Sequence, residues 1–487
     1  MIQPKFGAIT CAELQKSEFK LRVEGVFNGL DAVKKPISIS ANAFLISVSS
    51  KAGETSAKAR VVFTLVYLSE DGYKKATCEV DGACDMALEN AEISVFVTDV
   101  KLTTSNGYVA VCTLKFVGES RSLNSVDVLT GGEGLCALTR EHSADIYYND
   151  KQGQQVISDE FALDFTVGEV LSYSACAYLT SVSASLGKVI FEGDAVLTVK
   201  ALPFSENNDI VKEKRVIPFR FELDHDDAMI DAKAYGSVKV GATNVKVFAD
   251  EGKEKSSVSA DITLDFSGGV VLTEIISILD DAYSKTNECK VKRASADTLI
   301  YCGQRCFTEK AICQGGSAVE NGRLLTVFGE ELSVISSKVD GGALAIDCLV
   351  KSDVVFKNAD NGIVAVAIEC PLYLEFNING AISSLNVVLT DVVPRVRNGE
   401  IELECHVKVY FREYEKQAVS YVEEVVELGE RHNLDGAICV CLAKKGDSIW
   451  DVAKNLGSDE EEIVRFNPET EFPLSQNERI IVYRQKF

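Results

Sequence analysis

The chain has 487 residues, 46% of them hydrophobic and 25% charged, with a formal net charge of −23. That length exceeds one ordinary hydrophobic core and predicts three or four domains of soluble, globular type. The acidity argues against nucleic acid and bare anionic membrane as partners, because both would repel it.

The opening residues, from Met1 to Leu21, carry no basic stretch followed by an apolar run, so no signal peptide is expected. No run of about 18 apolar residues occurs, so no membrane span is expected, and the chain should be cytoplasmic. Fifteen cysteines are present. Many, such as Cys112, Cys176, Cys348, Cys370, Cys405, Cys439 and Cys441, sit in alternating apolar runs and read as reduced thiols serving as small core residues.

Up to about residue 440 the pattern has period two. Leu197, Val199 and Ala201 alternate with Thr198 and Lys200, and Ile401 and Leu403 alternate with Glu402 and Glu404. Alternation of this kind describes half-buried antiparallel strands. Asp71-Gly72, Asn106-Gly107, Asn379-Gly380 and Asn398-Gly399 supply the hairpin turns.

The chain also resembles itself. Ser40-Ala-Asn-Ala-Phe-Leu-Ile-Ser-Val-Ser49 matches Ser174-Ala-Cys-Ala-Tyr-Leu-Thr-Ser-Val-Ser183, and the same 134-residue offset pairs Val62–Leu65 with Val196–Val199. Thr113-Leu-Lys-Phe116 matches Thr263-Leu-Asp-Phe266, 150 residues on. Thr98-Asp-Val100 and Asn106-Gly107 return as Thr390-Asp-Val392 and Asn398-Gly399. A shared register across separate blocks predicts three tandem sandwich-like β units, 1–150, 151–300 and a diverged 301–433, followed by a small module at 434–487.

In that module, Ile438–Leu442 reads as a strand. Ser448 with Asp451 has capping-box spacing, Ile449, Val452, Ala453 and Leu456 make an apolar helix face, and Gly457 ends it. A second helix starts at Ser458, with acids from Asp459 to Glu462 in its first turn, and Asn467-Pro468 stops it. Arg479–Tyr483 closes the module as a strand, giving βααβ. Gly446-Asp-Ser-Ile-Trp-Asp-Val-Ala453, the Glu-Glu-Ile turn and Asn467-Pro468 resemble the LysM family. That resemblance implies a shallow binding groove formed by Gly446, Asp447, Ser448, Ile449, Asn467, Pro468, Glu469 and Thr470, with an N-acetylglucosamine polymer or a protein as ligand. Where the family usually has Gly-Gln before the last strand, this chain has Ser475-Gln-Asn-Glu-Arg479. Trp450 and Asp447 read as structural, the first as core and the second as the start of the helix.

Ile217-Pro-Phe219 and Asp281-Ala-Tyr-Ser284, both in the second unit, resemble elements of SPOCS domains, which occur with a terminal LysM in SipL-type spore-coat morphogenetic proteins. The resemblance implies a scaffold in a mother-cell cytoplasm, at the forespore surface. Its LysM would hold a coat morphogenetic protein of the basement-layer, ATPase-like kind, with peptidoglycan glycan as the alternative ligand.

Residues for catalysis are not assigned. His142, His225, His406 and His432 lack metal spacing; Asp224-His-Asp-Asp227 reads as a solvated turn and His406 as packing. Cys302, Cys306 and Cys313 cluster in sequence without a second ligand knuckle, so no metal is assigned. Gly131-Gly-Glu-Gly134 lacks the Lys-Ser/Thr of a phosphate loop. No cofactor is expected, and a binding scaffold outranks an enzyme.

Overall fold

The computed structural model describes residues 3–30, 32–51, 53–104, 107–148, 150–204, 209–249, 255–431 and 438–483. It is mainly β, and all the strand pairings in it are antiparallel.

The first six strands are β1 (Gln3–Phe27), β2 (Lys35–Lys51), β3 (Glu54–Ser69), β4 (Gly72–Met86), β5 (Glu92–Thr103) and β6 (Tyr108–Glu133). They make two sheets, β1-β6-β5 and β2-β3-β4. After β7 (Cys136–Tyr147) come β8 (Lys151–Leu163), β9 (Val167–Ser185), β10 (Lys188–Pro203), β11 (Val211–Asp224), β12 (Lys233–Ala249) and β13 (Ser256–Tyr283). Here β13 pairs with β12, β8 and β7, and β9, β10 and β11 form the facing sheet. The third set is β14 (Asn287–Ser317), β15 (Arg323–Asp340), β16 (Ala343–Lys357), β17 (Ile363–Asn377), β18 (Ala381–Arg397) and β19 (Glu400–Glu430), in sheets β14-β19-β18 and β15-β16-β17. The first and third sets share one order: first, last, fifth in one sheet and second, third, fourth in the other; the second set follows it when β7 and β8, which both pair with β13, take the place of a single first strand. Residue 150 lies between β7 and β8, and residue 300 lies inside β14.

Each pair of sheets encloses its own core. Val61, Phe63 and Leu65 share a cluster with Cys112, Leu114 and Phe116. Ala195, Leu197 and Val199 share one with Ile262, Leu264 and Phe266, and Ile346, Cys348 and Val350 share one with Cys405, Val407 and Val409. Pro36, Pro218, Pro371 and Pro394 all lie on edge strands, where a missing N–H costs no ladder bond.

The internal sequence matches have a structural correlate in the bulges. The register of β2 shifts at Leu45/Ser47, and that of β9 shifts opposite Glu192/Gly193, between Leu179 and Ser181, 134 residues on. Thr98-Asp99 and Thr390-Asp391 mark a register shift in β5 and in β18. A bulge adds one residue and sharpens the local bend. Asn398 (φ 54°) and Gly399 (φ 81°) take the two positive φ values of the predicted hairpin turn, whereas Asn106 lies outside the described residues.

Three ribbons run beyond the sandwiches: the outer halves of β1/β6, of β7/β13 and of β14/β19. A lone two-stranded ribbon is marginal in water. These three pack on each other instead, burying Val128, Ile278 and Tyr421 in one layer and Leu129, Leu279 and Val422 in the next. The 150-residue offset that carries Phe116 onto Phe266 also carries Val128 onto Ile278 and Leu129 onto Leu279. Away from the ribbons, Ile37, Val66, Leu171, Phe328 and Val355 close a second apolar junction between the three sandwiches.

The last elements are β20 (Ile438–Ala443), α1 (Ile449–Leu456), α2 (Glu460–Phe466) and β21 (Glu478–Tyr483), with β20 paired to β21. No helix among the described residues is long and apolar enough to cross a membrane.

Candidate functional site

The C-terminal module is held by a few local devices. Ser448 caps α1: its hydroxyl accepts from the Asp451 N–H while the Asp451 carboxylate accepts from the Ser448 N–H. Gly457 takes the left-handed conformation (φ 64°) that ends the helix. Trp450, Val452, Ala453, Ile463, Ile480 and Val482 form the core.

The residues expected to form the groove lie on two loops, and several of them are structural. Asp447 accepts from the Lys444 N–H at 2.8 Å, closing the turn after β20. Gly446 donates to the Leu474 carbonyl and Leu474 donates back to that of Asp447, so the first loop is sewn to the segment before β21. Asn477, in the stretch that departs from the family's Gly-Gln, accepts from the Lys445 N–H at 2.9 Å. Asn467 is buried; its amide donates to the carbonyls of Ile463 and Ile481 and accepts from the Ile481 N–H. It works as a clamp between α2 and β21. Ile449 is half-buried against the module core. Gly446, Pro468 and Glu469 are exposed, with Ser448 and Thr470 partly so.

The module is latched to the end of the ribbons. The Asp281 carboxylate accepts from the Trp450 indole at 2.9 Å and from the Lys454 ammonium at 2.6 and 2.7 Å. Burial alone would push the Asp281 carboxyl up, but the Lys454 and Trp450 hydrogen bonds outweigh it and hold it below the ordinary carboxylate range. Tyr283 stacks edge-on against Trp450, with ring centroids 5.0 Å apart, and its hydroxyl donates to the Ser458 carbonyl at 2.6 Å. Lys285 pairs with Asp459. Arg431 donates to the carbonyls of Lys454, Asn455 and Asn287, placing a cation at the negative end of α1. Trp450 is therefore a docking residue as well as a core residue. The Asp281-Ala-Tyr-Ser284 element supplies two of the anchors, a role its sequence did not signal. The expected boundary at 433 and His432 lie outside the described residues.

A second cluster joins the three sandwiches around a cleft of about 1710 Å³. The Arg121 guanidinium lies 3.9 Å from the Tyr147 ring centroid, and that of Arg412 lies 4.4 Å from the ring of Tyr235. Tyr235, Tyr301 and Tyr414 continue the stack. Arg412 is buried and pairs with Glu92 at 3.0 Å. Burial would raise the Glu92 carboxyl, but Arg412 and Lys239 pull it down to about 2. Each ion is thus committed to a partner from another sandwich, and the cluster reads as a cross-link. Sequence reasoning missed it, because no local spacing links residues so far apart.

The other sequence candidates do not converge. Cys302 is exposed, Cys306 half-buried and Cys313 buried, spread along β14. Cys313 lies instead 3.9 Å from Cys405, on β19. None of the fifteen cysteines is in a disulfide. His225, expected in a solvated turn, is buried: its neighbours Asp224, Asp226 and Asp227 face solvent while the imidazole turns inward. His406, expected to pack, lies 3.0 Å from Glu404. Glu133 belongs to the end of β6, paired with Gln3. Among the described residues, no group of three or more His, Cys, Asp or Glu is arranged to hold a metal ion. Comparison with family models, with curated proteins and with solved structures finds no match to this chain.

Proposed function

We propose that the chain is a non-enzymatic binding scaffold built from three copies of one β-sandwich unit, of SPOCS type, and a C-terminal LysM domain. The observation that carries this reading is that the module is fixed to the body while residues of its groove loops remain exposed. The latch engages Asp281, Tyr283 and Arg431, while Gly446, Pro468 and Glu469 on the groove loops stay open to solvent. A rigidly mounted groove is what a docking scaffold requires, since it removes the entropy of a swinging domain from the cost of binding. The recurring strand order and bulge positions support duplication.

In this reading the ligand is a coat morphogenetic protein of the basement-layer, ATPase-like kind, met in a mother-cell cytoplasm at the forespore surface. The acidic chain and the lack of a Gly-Gln pair favour a protein over glycan. Peptidoglycan, a polymer of N-acetylglucosamine, is the alternative, carried by the βααβ order. Co-sedimentation with purified peptidoglycan and co-purification of the ATPase, each with and without residues 438–487, separate the two. The scaffold reading expects the ATPase to be lost with the module and no sedimentation of the intact chain. Sedimentation that requires the module, with no ATPase retained, overturns it.

A further inference from the structure

The second sandwich ends in an apolar tip that its two counterparts lack among the described residues. Leu186, in the β9–β10 turn, and Ile230, in the β11–β12 connection, are each 77% exposed, with Met229 beside them. The two loops are bound together: Gly187 donates to the Ala228 carbonyl and His225 to that of Gly187, both at 2.9 Å. Among the described residues, the corresponding turns elsewhere carry Gly53, and Gly341 and Gly342. In the other β4–β5-type connections the apolar residue, Leu88 or Ile378, is buried. Asp224, Asp226, Asp227 and Asp231 surround the tip and are exposed.

A complementary surface lies on the C-terminal module. Its helices cover one face of the β20–β21 sheet, and the other face is apolar. Ile438, Val440 and Leu442 are 68, 63 and 69% exposed, and Ile481 stands opposite Val440. Half-exposed strands normally carry polar residues outward. Arg479, exposed, stands opposite Leu442 on that same face, and Lys444 and Lys445 follow the strand. Both patches are open to solvent, so neither covers the other within one chain.

We propose that copies of this chain associate head to tail, the acidic apolar tip of the second sandwich docking on the basic apolar sheet face of the next copy's module. The occupant is assigned by complementarity: apolar against apolar, with four aspartates facing Arg479, Lys444 and Lys445. Such a contact is heterologous, so it propagates into an open chain of copies rather than closing as a two-fold dimer. It is separate from the groove and holds whichever ligand the groove takes.

The test is sedimentation of the full chain over a range of concentrations at about 0.15 M salt, where a screening length of about 8 Å damps the repulsion between acidic copies but not contact pairs. The wild type is expected to show a rising weight-average mass. L186S/I230S at the tip and V440T/L442T on the face should each weaken association by roughly tenfold or more. Threonine keeps the strand propensity of the second variant. Mixed in equal amounts, the two variants should form dimers and stop there, because one intact tip meets one intact face. D226K/D227K repeats the tip test without touching apolar residues, and circular dichroism checks folding. A wild type that stays monomeric, variants that assemble like it, or a mixture that stays monomeric would each overturn the proposal.

Discussion

Removing the Asp281 carboxylate should free the C-terminal module from the body while leaving both folded. In Asp281→Ala the Trp450 indole and the Lys454 ammonium lose their shared acceptor. Hydrogen bonds to a charged group contribute roughly 1.5–3 kcal/mol each. The Lys454 side chain is 35% exposed and recovers part of its loss from water, whereas Trp450 is 9% exposed and recovers little. A net cost of about 3 kcal/mol follows, a shift of roughly a hundredfold in the docked-to-undocked ratio. Trp450 is the chain's single tryptophan, so its emission reports the docked state directly. In denaturant, the variant's emission should red-shift well before the circular dichroism of the β body changes. Asp281→Asn, which keeps an acceptor but no charge, should fall between. The sign with pH is also fixed: a carboxyl depressed in the folded state contributes stability above its unfolded value, about 3.9, and loses it as pH falls through the folded one. An emission transition in Asp281→Ala that coincides with wild type would refute the latch.

Other expectations follow from the same contacts. Glu92→Gln leaves Arg412 buried beside a neutral partner and should cost roughly 3 kcal/mol in guanidinium unfolding. Because the Glu92 carboxyl sits at about 2 when folded, its contribution is present above an unfolded value of about 4.3 and fades as pH drops toward 2, so the variant's acid transition should be shallower. Ser448→Ala should destabilise the module by about 1 kcal/mol through loss of its cap, read from Trp450 emission. Iodoacetamide should label Cys302 first in the native protein, and Cys302→Ser should remove that fast phase in peptide mass mapping.

Much of the strand content and the hairpin chemistry was legible, because side-chain alternation and Asn-Gly turns act locally. Thr98-Asp99 and Thr390-Asp391, which match in sequence, both fall at register shifts, in β5 and in β18. The ribbons were not legible. Alternation in Ile9, Val128 or Ile278 marks a buried face but not which of several strands will cover it. For the same reason β14 reads through residue 300 as one strand with two neighbourhoods, its first half in the ribbon bundle and its second in a sandwich. His225 was misjudged because three exposed aspartates dominate its window while its own ring turns inward. In the module, capping and helix stops were readable from Ser448, Asp451 and Gly457. The use of Trp450 and Lys454 to grip Asp281 was hidden, since those partners lie far apart in sequence.

Protein docking at the exposed groove loops is the core of the proposed scaffold function. Its most direct measurement is a calorimetric titration of the intact chain with the basement-layer coat ATPase, repeated with Glu469→Lys, which reverses charge on the exposed groove loop without entering the latch. Saturable binding is expected, weakened by at least roughly tenfold on substitution, with unchanged Trp450 emission. Equal binding by both proteins, or heat only on titration with peptidoglycan fragments, would contradict it.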